Sequence, residues 1–543
     1  MRISRFFGIG FILCTCGGTL NATDLVYEVI AVSGQLAPGT QDAEFSSFFN
    51  PIPAMDSQGR VWFGAQLQGP TISGDTSHGY WLGGNQPLTK LVQKGDPAPG
   101  PVGTTYTSLH SILGFHESGQ GVINGSSAYG FRNYDAIWAG TPGELQLIAI
   151  SNDPAPGTDG FYFTDIEPAR VSRNGDIVFA GTIRRDAENT TYGSGIWRHR
   201  NGVLNPVAIE DREVVSPSGL IRLLNFSPPR VNDAGDVAFR AFVRNADTGY
   251  NGVGVFIEDG QNVREVFRDR ARADDGYLLT NPSVLRHGSS GRVLLSTQDL
   301  SSHFLRIVSL HEGQFRTLLK HGGPTPLEGR RYLLERLPFS GGLDSEGQYT
   351  VVRTGYTDDT AGTSGSGIWL DDSHTMKAVA TTEDIAPGTG GGVFSSFSSV
   401  YVNDVGQVVF RARAYNESLT GYDPETGTFL SPYIDGVWSY GLDGELDLVV
   451  RSGQLFNVSN DPTITDLRTI QEIYLQSVPN TRPSQADGVH AHGPIPLQLA
   501  FADGSYAVVV ATVPEPSTLP VILLAGSVTA VIGRRRAASR NLR

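Results

Sequence analysis

Cysteine, methionine and lysine are nearly absent from this chain of 543 residues: it has two Cys and three Met, and only four of its 41 basic residues are Lys. Two cysteines cannot build a disulfide framework. Concentrated positive charge is also missing, since 55 acidic residues leave a formal charge of −14, which argues against nucleic acid or an anionic membrane as partner. No P-loop, zinc-ligand spacing, Gly-x-Ser-x-Gly elbow or kinase signature occurs. Helical periodicity is lacking throughout the central region. What is present is a 39% hydrophobic share and 66 Gly, enough for a packed core and incompatible with a disordered chain.

The ends differ from the middle. Arg2 and Arg5, an apolar run from Phe6 to Cys14, and Leu20-Asn21-Ala22 follow the order of a secretory signal peptide over residues 1–22, with cleavage expected after Ala22. Both cysteines, Cys14 and Cys16, fall inside it, so the exported chain must hold itself together by packing alone. A lipidated Cys16 is the alternative, disfavoured by Thr15 before it. At the other end, Pro514-Glu515-Pro516 precedes the apolar stretch Leu519 to Ile532 and the cluster Arg534-Arg535-Arg536. That stretch falls short of the roughly 17 residues that span a bilayer comfortably, and the arginines hold its end at the cytoplasmic side.

This C-terminal combination resembles the PEP-CTERM sorting signal of exopolysaccharide-producing bacteria. The resemblance implies processing near Pro514 to Pro516 by an exosortase-type protease and delivery to the cell surface, outer membrane or matrix; a plain C-terminal membrane helix is the alternative. With +2 in residues 1–22 and +4 net from residue 514 onward, the body between carries −20.

The body, residues 23–513, is repetitive. Three elements recur. The first is an apolar strand closing on Ala-Pro-Gly, as at Ala37-Pro38-Gly39, Ala98-Pro99-Gly100, Ala155-Pro156-Gly157 and Ala386-Pro387-Gly388. The second is a turn followed by alternating apolar residues, as in Asn232-Asp233-Ala234-Gly235-Asp236-Val237-Ala238-Phe239, with its seven glycines spaced 60, 56, 60, 56, 56 and 59 residues apart. The copy at Gly291, where Ser289 replaces the Asx residue, is expected to be irregular. The third is Gly-Ile-Trp or a variant at Trp81, Trp138, Trp197, Trp369 and Trp438, with Phe256 in the matching place. A ring that recurs once per unit belongs to the core rather than to a ligand site. The pattern resembles tandem-repeat exoproteins with Asn-x-x-Gly-x-x-Ala-Phe repeats, a family without an assigned activity.

Units of about 60 residues with four strand signals predict an all-β chain, a β-propeller of four-stranded blades. Seven complete units, three C-terminal strands and one N-terminal strand near Val32 predict eight blades, the last closed by strands from both ends of the chain. Seven blades plus a C-terminal hairpin is the alternative, and a parallel β-helix fits less well.

Candidate chemistry is sparse. His490 and His492 could chelate a metal, but no third ligand is specified. The turns Asp56-Ser57-Gln58-Gly59 and Asp344-Ser345-Glu346-Gly347 make calcium the one conceivable cofactor, although the acidic residue at the twelfth loop position is missing. Paired carboxylates Asp274-Asp275, Asp358-Asp359 and Asp371-Asp372 sit in loops. The sequence therefore leans toward a non-catalytic surface or matrix propeller that binds glycan or another exoprotein. A secreted polysaccharide hydrolase or lyase is the alternative, to be recognised by one unit with a distinctive Asp, Glu, His or Tyr facing the channel.

Overall fold

The turn that heads each repeat explains how the blades begin. In blade 4, Asn232 Oδ1 accepts the Asp236 N–H (2.8 Å), Gly235 N–H bonds Asn232 O (2.9 Å), and Gly235 sits at φ +85°, where a side chain would be strained. Asp56, Ser172, Asp344 and Asn403 accept in the same way in blades 1, 3, 6 and 7. The glycine thus carries the left-handed conformation while the Asx residue three positions earlier supplies the acceptor. Blade 5 closes the same turn with Gly288 and Gly291 and continues into a complete antiparallel sheet whose first strand is bulged, as in blade 4: two glycines meet the turn's demands without an Asx side chain.

A computed structural model describes residues 25–512, apart from 57, 116–118, 131, 186–191, 218, 246–247, 335–339, 345, 424–427, 442, 462 and 476–492. Eight antiparallel sheets are arranged as an eight-bladed β-propeller. Blades 1 to 7 run over 44–93, 105–150, 162–209, 219–268, 278–320, 330–381 and 393–451, with strands in sequence order from the axis outward. Blade 8 takes Leu467–Leu475, Ile495–Phe501 and Tyr506–Thr512 from the C-terminal side and Val26–Val32 as its outermost main strand, in register from Val26 opposite Thr512 to Val32 opposite Ala507. The predicted closure is therefore the one adopted, and the seven-blade alternative is excluded. The first strands of successive blades 1 to 7 touch one another, which makes them the lining of the central channel.

The core lies between blades. One cluster joins Val122, Ile137 and Ala149 of blade 2 to Phe163, Phe179 and Trp197 of blade 3; another joins Val508 and Val510 of blade 8 to Phe45, Phe63 and Trp81 of blade 1. All six tryptophans are buried. Four of them also staple the loop that enters their own blade: Trp81, Trp138, Trp197 and Trp438 donate Nε1–H to the carbonyls of Pro38, Pro99, Pro156 and Pro387 at 2.8–3.1 Å. The pairing of Ala-Pro-Gly with Trp in the repeat follows from that bond. Blade 4 has Phe256 in the Trp position and Asp211-Arg212-Glu213 in its entry loop, so acceptor loop and donor ring are absent together. Before Trp81, Trp197, Trp369 and Trp438 a glycine two residues earlier makes room for the indole, since a Cβ at Gly195 would come within 2.6 Å of the Trp197 ring; Trp138 has Ala136 there.

Candidate binding face

Antiparallel pairing throughout places the turns between first and second strands, and between third and fourth, on one face of the ring. The loops between second and third strands, and those entering each blade, lie on the other. We call these the turn face and the loop face.

On the turn face, the first turns converge on the axis. Arg173 of blade 3 pairs with Asp233 of blade 4 (3.2 Å) and with Asp404 of blade 7 (2.7 Å), which stands opposite it in an eight-membered ring. Arg173 N–H also bonds Asp233 Oδ1, and Asn232 Nδ2 reaches Gly288 O of blade 5 (3.1 Å). Asp344 of blade 6 joins this centre. Burial first, then the nearby Asp404 carboxylate, push its pKa up to about 6, despite the 2.7 Å bond its Oδ1 accepts from Tyr349 N–H.

Along the channel, the first strand is bulged at one level in blades 1 to 5, 7 and 8, at Ser46, Thr107, Thr164, Asn225, Asn281, Ser395 and Gln471. Ser46, Thr107 and Ser395 hydroxyls bond second-strand carbonyls at 3.0–3.2 Å, replacing ladder bonds the bulge breaks. Beside them stand serines in blades 1, 2 and 7, at Ser47, Ser108, Ser396 and Ser398. The titratable groups at those positions are His110 in blade 2, Asp165 and Glu167 in blade 3, and Glu472 and Tyr474 in blade 8. Glu167 is pushed above the usual carboxylate range by burial and by Asp165, with Arg170 opposing; Tyr474 donates its hydroxyl to Glu472. Among the described residues no three metal-ligating groups gather.

The carboxylates singled out in sequence are committed elsewhere. Asp56 Oδ2 holds Arg60 Nε at 2.6 Å as well as closing its turn. Asp275 binds Arg306 (2.7 Å) and Lys320 (3.1 Å), while Asp274 accepts from Thr317. Asp358 and Asp359 pair with Arg330 and Arg331, buried Asp371 takes a bidentate Arg316, and Asp372 binds Lys377 and caps its own turn. Turn chemistry and charge pairing thus engage these carboxylates, whereas Asp344 keeps its buried Oδ2 without a hydrogen-bond partner among the described residues. Ala22, His490, His492, Pro514, Glu515, Pro516, Arg534, Arg535 and Arg536 lie outside the described residues. No helix among the described residues is long and apolar enough to cross a membrane.

The sequence reading missed the loop face. Among the described residues every exposed Phe and Tyr lies there: Tyr129, Tyr162, Tyr192, Phe242, Tyr277, Phe304 and Tyr433. Two of these groups are cross-strand rows. In blade 3, Tyr162 stands directly opposite Arg184, which stands opposite Tyr192; in blade 7 the corresponding row is Val393, Tyr415 and Tyr433, with the two phenol rings 5.4 Å apart. Arg413 covers Tyr433 and pairs with Asp435 (3.3 Å). The only early signal was a Tyr at the start of the third strand in both blades, too weak to separate from ordinary strand composition.

Similar solved structures are propellers at low identity. The β-propeller domain of the Trilobed protease from Pyrococcus furiosus is 9% identical, with 76% of this chain and 100% of that one covered and a TM-score of 0.33. The Dos1 propeller is 12% identical over 87% and 95%, TM-score 0.34. The GH93 α-L-arabinofuranosidase of Fusarium graminearum, solved with arabinobiose, is 10% identical over 60% and 92%, TM-score 0.28. No curated protein matches the chain. A family model covers residues 55–520, from the first blade through the last, and by that match the chain belongs to DUF7453, a family of unknown function.

Proposed function

We propose that this is an exported, surface- or matrix-associated propeller without catalytic activity, which binds glycan through its loop face. The observation that carries the reading is the confinement of exposed aromatic rings to that face. Flat apolar rings beside polar groups suit the faces and hydroxyls of sugars. The extensive pairing of carboxylates argues against acid–base catalysis.

The address supports the same orientation. Val26 and Thr512 meet at the turn face, so a C-terminal anchor would leave from there. Residues 513–518 reach at most ~20 Å, less than the ~30 Å length of a nine-residue strand such as Tyr192–Arg200, so an anchored ring would turn its loop face away from the bilayer. An exosortase-type protease is the processing partner in this reading, and deleting residues 514–543 should release the protein or leave it unprocessed.

A glycan array probed with the wild-type body and with the Tyr162→Ala/Tyr192→Ala and Tyr433→Ala variants tests the function. Binding that weakens in the variants supports it; absence of any bound glycan refutes it. The carboxylates at Asp165, Glu167 and Glu472 favour a second reading, a polysaccharide hydrolase or lyase. Release of reducing ends or unsaturated sugar from the same panel, lost on Glu167→Gln, would establish that activity instead.

A further inference from the structure

Blade 3 offers a more specific site than the loop face as a whole. Tyr162, Arg184 and Tyr192 are direct cross-strand neighbours, so their side chains leave the same side of the sheet with Cβ atoms roughly 5 Å apart. Strand alternation puts them on the side of Val178, Ala180 and Ile196, which pack against Ile221, Leu223 and Val237 of blade 4. The row therefore stands at the loop-face mouth of the seam between blades 3 and 4. Tyr162 is 43% exposed and Tyr192 65%, and across the seam Val215 and Leu220 are exposed as well.

The row also carries an unpaired positive charge between its two tyrosines in the register. Several loop-face arginines are neutralised, Arg222 by Glu213, Arg330 by Asp358 and Glu383, Arg331 by Asp359 and Arg413 by Asp435, while Arg244 and Arg272 have no ion pair among the described residues. Among the described residues Arg184 has no ion pair and no ring stacked on it. Arg184 is half-buried; among the described residues it has no carboxylate partner in a body of −20, and neither has Arg244 in blade 4, so what blade 3 adds is an exposed tyrosine on each side of Arg184 in the row. Blade 4 has Arg222, Arg244 and Asn251 at the same level, and blade 2 has Thr105, Ala128 and Asn133. The planar fork of arginine matches a carboxylate with two parallel N–H···O bonds, and the flanking rings can take sugar faces.

We propose that the Tyr162–Arg184–Tyr192 row is a subsite for an acidic sugar, with a uronate carboxylate on Arg184 and pyranose faces on Tyr162 and Tyr192. This rests on the glycan-binding reading and names its substrate class. Because the body repels polyanions at large, recognition depends on this local cation, and affinity falls when Arg184 is neutralised even though the surrounding surface is unchanged.

The test uses the complete propeller body and oligogalacturonate and oligomannuronate as probes, each beside its carboxyl-reduced neutral form, with dissociation constants from calorimetry. The expected result is uronate binding that weakens about tenfold in Arg184→Gln and is partly kept in Arg184→Lys, with the neutral forms bound weakly by wild type and variants alike. Tyr162→Ala/Tyr192→Ala should weaken both sugar forms. An unchanged thermal midpoint in each variant separates lost recognition from lost folding. Equal binding of a uronate and its reduced form, or no effect of Arg184→Gln, overturns the acidic-sugar subsite and leaves glycan binding standing. Failure of these probes alongside capture of a neutral glycan by an array overturns the subsite in the same way. If no glycan of any kind binds, both readings fall.

Discussion

Arg173 and Asp404 are 231 residues apart in sequence and 2.7 Å apart across the axis of the ring. The pair links blade 3 to blade 7, and with Asp233 it draws opposite first turns together, so the turn face is tied at its centre while the loop face is left to its loops. Both partners are largely shielded from water, and removing the cation would leave Asp233, Asp404 and Asp344 facing one another. Arg173→Ala should therefore cost about 2 kcal/mol, and more than Asp404→Asn, which leaves fewer like charges behind. Urea midpoints for the two variants and the double variant check this; a midpoint for Arg173→Ala equal to wild type would mean the cross-axis pair contributes nothing to closure.

Asp344 should make stability fall with rising pH. Its carboxyl titrates at about 6 in the folded chain, above the ordinary value, because burial and Asp404 disfavour the charge. A raised folded pKa means its contribution is complete below about pH 4 and is lost as pH climbs through 6. Blades 4 and 7 carry Asn232 and Asn403 at the same turn position, so Asp344→Asn fits the turn and should raise the melting temperature at pH 7.5 but not at pH 4. His287 acts in the opposite sense. It is buried, and burial holds its pKa down to about 4, so stability it permits above 6.5 is lost as pH falls from there towards 4. Both windows lie between about pH 4 and 6.5, where the two contributions oppose each other, so melting curves from pH 4 to 8 should rise more steeply with pH across that range in Asp344→Asn and less steeply in His287→Gln.

The indole staples predict unequal effects at equivalent positions. Trp197 Nε1 bonds Pro156 O at 3.1 Å, whereas buried Trp369 Nε1 has no acceptor among the described residues. Replacing either by Phe removes similar packing volume, but only the first leaves a carbonyl without its donor. Trp197→Phe should destabilise by about 1 kcal/mol more than Trp369→Phe, read as a difference in denaturant midpoint. Equal losses would show that packing alone fixes the repeat's tryptophan.

Blade number, strand order and closure were legible because each depends on a local signal repeated many times: the Asx–Gly turn, the Trp strand, and the unmatched strands at the two ends. Even the copy around Gly291, which lacks the Asx residue, kept its blade, since turn geometry needs an acceptor or a second glycine but not a particular side chain. What stayed hidden depends on register between strands and on distance across the ring. The Tyr162–Arg184–Tyr192 row exists only once three strands are aligned, and Arg173 meets Asp404 only once the circle closes. The fate of Asp275, Asp358 and Asp371 was equally invisible, because their arginine partners lie 28 to 55 residues away or on the neighbouring blade.

Closure by Val26–Val32 offers a direct control over the whole ring. Val26 and Thr512 face each other at the end of the ladder and both are exposed, so replacing them removes no core contact. Directly opposed residues in an antiparallel pair have Cα atoms about 4.5–5.5 Å apart, inside the range a disulfide spans. The natural cysteines, Cys14 and Cys16, lie upstream of Val26, so the new pair has no competitor in a body beginning at residue 23. A Val26→Cys/Thr512→Cys bridge would close a loop of about 490 residues, for which chain entropy alone sets an upper limit of about 6 kcal/mol. If opening of blade 8 is the first step of unfolding, the oxidised variant should melt several degrees above its reduced form and resist proteolysis at both ends. Deleting residues 26–32 should do the reverse, exposing Val508 and Val510 and lowering the midpoint. A bridge that forms without moving the midpoint would place the weakest seam elsewhere in the ring.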